Sequence, residues 1–212
     1  VFKNIERATI LTADHPVFGA GQAVIVGDLI LTAAHCVNLG EDPSRWIDPA
    51  GWEGDGRRLQ KLYRSGSEFS ANVKSFEPIL DLAVLESPGA VDALELAEPY
   101  SLAIAGIDSI PIWDLEPDPG EIVKIHVFTH KKEWIPGQFE FCGRNLRIGF
   151  KTQLAIEGGT SGGPVVDDAG RLLSIVSTTI DGTATDGEGE IYHASPLLCV
   201  ALPAGIKTWL ES

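Results

Sequence analysis

The chain has 212 residues, enough for one large domain or two small ones with a core that needs no disulfides or metals. Hydrophobic residues make up 44% and charged residues 22%, the balance of a folded soluble protein. Sixteen Lys and Arg stand against 30 Asp and Glu, and a net charge of −14 sets nucleic acid and anionic membranes aside as partners, because phosphate is bound by cations.

Along the chain, short apolar runs rich in Val, Ile, Leu and Thr are cut by Gly, Pro and Asp. Strands are predicted at residues 23–26, 29–33, 59–63, 72–77, 82–86, 122–128, 139–142, 145–155, 164–166, 172–179 and 190–194. The most apolar stretch, residues 23–37, is too short to span a membrane and carries Asp28 and His35. The long segment 38–58, with Trp46 and Trp52 among Gly, Pro and acidic residues, reads as a surface excursion. Residues 110–120, with Pro111, Pro117 and Pro119, read as a connector. A single helix is predicted at 203–210, where Ile206, Trp209 and Leu210 share a face. Many short strands with frequent turns indicate an all-β sandwich or barrel.

Three cysteines, Cys36, Cys142 and Cys199, are too few and too scattered for a disulfide framework or a C-x-x-C site. Buried free thiols are expected, with a Cys142–Cys199 bridge as the alternative. A start at Val1 without any Met fits removal of a leader or a longer precursor.

The segment Gly158-Gly159-Thr160-Ser161-Gly162-Gly163-Pro164-Val165 carries the strongest chemical signal. Glycines around a serine permit a tight turn in which backbone N–H groups converge. Acyl transfer needs such a place, because its tetrahedral intermediate puts a negative oxygen beside the nucleophile. A serine hydroxyl also needs a general base, and the base needs an acceptor that fixes its tautomer. His35, at the end of an apolar run, and Asp81, at the start of another, supply both.

Thr32-Ala33-Ala34-His35-Cys36, Asp81-Leu82-Ala83-Val84-Leu85-Glu86 and Gly158–Val165, in that order, resemble the three signatures of the chymotrypsin/trypsin superfamily of serine peptidases. The separations are 46 residues from His35 to Asp81 and 80 from Asp81 to Ser161. The resemblance implies two six-stranded antiparallel β-barrels with a C-terminal helix. Residues 1–108 would carry His35 and Asp81, and residues 109–212 would carry Ser161. It implies His35 as general base, Asp81 as its orienting carboxylate and Ser161 as nucleophile. Gly159 and Ser161 would donate the oxyanion-hole N–H groups. Ser177 matches the serine that bonds the triad aspartate, and Thr178–Thr179 the edge that pairs with substrate. No metal or cofactor is implied, and the partner is a peptide or protein substrate. A secreted or periplasmic home fits the resemblance, while the unpaired cysteines leave an intracellular one open.

The departures bear on regulation and specificity. Thr160 stands where many relatives have an Asp that pairs with a new N-terminus, so activation by such an ion pair is not expected; Thr160 reads as a packing residue beneath the nucleophile. Ala155 and Ile156 fall at the floor of the primary pocket, and Thr179 narrows its entrance, which favours a small or medium apolar P1 residue. Glu190, if it projects into that pocket, favours a basic one. His15, His126, His130 and His193 read as packing or surface residues. The acidic residues Asp181, Asp186, Glu188 and Glu190 read as a solvated loop in preference to a Ca²⁺ site. The alternatives to catalysis are a protease-like binding module with a closed cleft, or a latent protease gated by a partner.

Overall fold

The structure is a computed structural model that describes residues 2–12, 20–37, 59–77, 81–89, 94–113, 118, 120–140, 147–148, 150–152, 158–178, 184–185, 191–192 and 198–201. A short helix α1 (Lys3–Ala8) leads into six strands: β1 (Thr9–Thr12), β2 (Gln22–Val26), β3 (Leu29–Ala33), β4 (Leu59–Arg64), β5 (Ser67–Glu77) and β6 (Leu82–Glu86). They close into an antiparallel barrel in the order β1-β2-β3-β6-β5-β4. Ile25, Ile30, Leu31, Leu62, Leu82 and Leu85 fill its interior, and burial on this scale stabilises by about 1.5–3 kcal/mol per side chain. β2 is buried at all five positions instead of alternating. Its inward residues line the barrel, while α1 packs against the strand and the carbonyl of Ser161 bonds its first residue.

The chain then crosses through helix α2 (Leu94–Ile104) to a second sheet. Its strands are β7 (Ile122–Phe128), β8 (Trp134–Glu140), β9 (Arg147–Ile148), β10 (Phe150–Thr152), β11 (Pro164–Asp167), β12 (Leu172–Thr178) and β15 (Leu198–Ala201). They run in the order β10-β8-β7-β11-β12-β15-β9, with a separate ribbon of β13 (Ala184–Thr185) and β14 (Ile191–Tyr192). Val166, Leu172 and Ile175 of this sheet join the same apolar cluster as the barrel, so the two parts share a core. The fold is all-β, with one closed six-stranded barrel and one seven-stranded sheet. Among the described residues no pairing joins β9 to β10, and the helix expected at 203–210 lies outside them.

Two helices were not foreshadowed by the sequence periodicity. α2 contains Pro99 and leaves Leu94 and Leu102 exposed, so no apolar stripe announces it. It is held instead by one anchor: Tyr100 is buried against Phe69, edge to face at 6.1 Å, and its hydroxyl donates to the Asp28 carbonyl at 2.6 Å. No helix among the described residues is long and apolar enough to cross a membrane.

Candidate active site

The β3–β6 ladder brings His35 and Asp81 together. Its last pair is Ala33 with Leu82, and the Ala34 N–H continues the pattern to the Asp81 carbonyl at 3.0 Å. A single 3₁₀ turn, Ala34–Cys36, then swings His35 out of the strand direction. Asp81 itself has φ +53°, the left-handed region that Asp tolerates through its short polar side chain. The result is a carboxylate gripping its histidine twice. Asp81 Oδ1 accepts the His35 backbone N–H at 2.9 Å, and Oδ2 lies 2.8 Å from His35 Nδ1.

A third donor comes from the second sheet. In the β12–β15 pairing Val176 faces Cys199 and Thr178 faces Leu198, so Ser177 is the extra residue of a β-bulge. A bulge re-aims the side chain it carries. The Ser177 hydroxyl donates to Asp81 Oδ2, which ties the sheet to the barrel at the site.

These contacts set the proton affinities in opposite directions. Burial works against the charged form of both groups. For Asp81 the bonds from His35 and Ser177 outweigh burial and hold the carboxyl below the usual aspartate range. For His35 the bond to Asp81 and the neighbouring Cys36 sulfur outweigh it and push the imidazole above the usual histidine range.

Ser161 is pinned from both sides. Its carbonyl accepts the Gln22 N–H of β2 at 2.6 Å. The next residue, Gly162, donates to the Val176 carbonyl at 2.7 Å, one residue before Ser177. Gly162 has φ +80°, and a Cβ there would stand 1.8 Å from the Gln22 carbonyl oxygen, so no other residue fits. A Cβ built on Gly21 would meet both the Ser161 carbonyl oxygen, at 3.0 Å, and Cys36 Sγ, at 2.5 Å. The nucleophile loop and the turn bearing His35 therefore converge on one spot, and Cys36 is a buried free thiol there. Among the described residues neither the Gly159 nor the Ser161 N–H bonds an acceptor, whereas the Gly162 and Gly163 N–H groups both do.

β11 begins at Pro164, opposite Ile175, so β12 runs on past it to Thr178. Among the described residues that edge carries no further strand on the Ser161 side. Ala155, Ile156, Thr179 and Glu190 lie outside the described residues, as do His15, His193, Cys142 and the acidic residues Asp181, Asp186 and Glu188. His126 is a surface residue paired with Asp168 at 2.8 Å. His130 is different: it contacts Thr160 inside the nucleophile loop, which no sequence signal indicated.

Residues 5–175 match the family model described as a trypsin-like peptidase domain. Solved structures share the fold at low identity. The serine endoprotease from Yersinia pestis is 19% identical over 99% of this chain, with a TM-score of 0.54, and the chain spans 63% of that protein's length. The Rv3671c protease from M. tuberculosis in its active form is 16% identical over 98% of this chain and 81% of its own, with a TM-score of 0.55. No curated protein sequence matches the chain. With four fifths of its length matched by one family model, the chain belongs to the trypsin-like peptidase domains, a family of serine endopeptidases.

Proposed function

We propose that this domain hydrolyses peptide bonds through an acyl-enzyme formed on Ser161. The observation that carries the reading is the double grip of Asp81 on His35, which holds the proton on Nδ1 and leaves Nε2 free to act as a base. His35 takes the Ser161 proton as Oγ attacks the scissile carbonyl. The tetrahedral oxyanion is met by the N–H groups of Gly159 and Ser161. His35 then returns its proton to the leaving amine as the C–N bond breaks. Water, deprotonated by the same imidazole, releases the acyl group as a carboxylic acid. The substrate main chain adds as a strand beside Thr178 and Thr179. Ala155, Ile156 and Thr179 favour a small or medium apolar P1 residue. The reading extends to the fold: the second sheet closes as a six-stranded barrel from about residue 109 onward, followed by a helix at 203–210.

The test is fluorophosphonate labelling together with cleavage of a mixed peptide library read by mass spectrometry. Wild type is expected to label and to cut after small apolar residues. Ser161→Ala is expected to lose the label and to fall by several orders of magnitude in turnover. A variant that labels like wild type overturns the nucleophile assignment, and cuts after Lys or Arg overturn the apolar pocket.

A further inference from the structure

Thr160 lies between the two residues whose N–H groups form the proposed oxyanion hole, and it is completely buried. Its hydroxyl is reached from the hairpin between β7 and β8. His130 Nδ1 stands 3.3 Å from Thr160 Oγ1, and the His130 backbone N–H points at the same oxygen from 3.5 Å. His130 also covers the preceding residue: a Cβ built on Gly159 would lie 3.5 Å from His130 Cγ. The hairpin that presents this imidazole is closed by Thr129 N–H to the Glu133 carbonyl and Lys132 N–H to the Thr129 carbonyl, both at 2.9 Å.

The loop needs such a hold. Gly159 has φ +88° and no Cβ to favour one peptide orientation. A rotated peptide at 159–160 would turn an N–H away from the developing oxyanion. Thr160 resists that rotation through two ends. Its carbonyl accepts the Gly163 N–H at 2.8 Å, and its hydroxyl is fixed on His130. A buried β-branched side chain has little rotamer freedom, so fixing its oxygen fixes its backbone.

We propose that His130 is a positioning residue that holds the oxyanion loop through Thr160, in place of an ion pair to residue 160. The inference rests on the acyl-enzyme reading above. The hold is built into the hairpin and is present without cleavage of the chain.

The experiment compares His130→Ala, His130→Asn, Thr160→Val and the double variant His130→Ala/Thr160→Val. It uses a cleaved peptide from the library and a peptide boronic acid, whose tetrahedral adduct occupies the oxyanion hole. Each of His130→Ala and Thr160→Val is expected to lower kcat about tenfold, with KM changed by less than about twofold. Boronate affinity should fall by the same factor. His130→Asn, which keeps a hydrogen-bonding group near the Nδ1 position, should recover most of the loss. The double variant should be no worse than either single one, because both remove the same contact. Unchanged kcat, multiplying losses, or lost activity with full boronate affinity would each overturn the inference while leaving Ser161 chemistry intact. Wild type that takes no fluorophosphonate label removes the parent reading and this inference together. If Thr160→Val fails to fold, the two His130 variants, altered at a half-exposed position, carry the comparison.

Discussion

Replacing Asp81 by asparagine separates the charge of this side chain from its shape. The backbone tolerates the change, since Asn shares the preference of Asp for the left-handed region in which φ is +53°. The hydrogen bonds do not. The carboxylate accepts from the His35 backbone N–H at 2.9 Å, from Nδ1 at 2.8 Å and from the Ser177 hydroxyl. An amide has one oxygen. If that oxygen keeps the backbone N–H, the amide NH₂ faces Nδ1, and the imidazole proton must move to Nε2. The base then presents a donor to Ser161. If the amide turns over, its NH₂ opposes the buried backbone N–H, at a cost of about 1–3 kcal/mol. Loss of the correct tautomer in this kind of triad lowers turnover about ten-thousandfold, or about 5.5 kcal/mol of transition-state stabilisation. The assay is kcat/KM on a library-derived peptide at neutral pH, with urea unfolding to follow stability. An Asp81→Asn enzyme within about tenfold of wild type would refute the orienting role of the carboxylate.

Activity and stability should respond to pH in opposite senses at His35. The raised proton affinity stabilises the fold fully below the ordinary histidine value of about 6.5, and that contribution is lost as pH climbs through the higher folded value. Catalysis needs the neutral imidazole, so the acid limb of kcat/KM should lie above about 6.5; a limb at or below it would contradict the charge environment described. The Asp81 contribution is present above about pH 3.9 and is lost as pH falls through its depressed value, which urea midpoints between pH 2 and 5 would follow. Gly162→Ala should abolish activity and destabilise by about 3 kcal/mol or more, because the Gln22 carbonyl cannot move without breaking the β2–β3 ladder. Urea unfolding and peptide cleavage check it. Leu31→Ala, at a fully buried barrel position between Val24 and Val84, should cost about 2–5 kcal/mol in urea unfolding and leave KM close to wild type.

Much was legible from the residues in order. The alternation at Ile122–Phe128 and the compact apolar run Leu82–Glu86 gave two strands at their observed bounds, because both patterns are local. The three motifs and their spacing pointed to one site, since nucleophile, base and orienting acid each need a recognisable neighbourhood. Cys36 was read as a buried free thiol, and it is one. The rest depended on contacts between distant segments. α2 exists because Tyr100 finds Asp28, 72 residues away, and not because its own sequence is amphipathic. Ser177 points at Asp81 because an unmatched residue in the β12–β15 register turns it there. The glycine at 162 was visible as a turn residue, but the reason no side chain fits, a carbonyl from β2, comes from the other half of the molecule. His130 looked like any surface or packing histidine, and Thr160 like filler beneath the nucleophile. Only the tertiary fold lays one against the other across 30 residues, because hydrogen bonding depends on distance in space and the sequence records only distance along the chain.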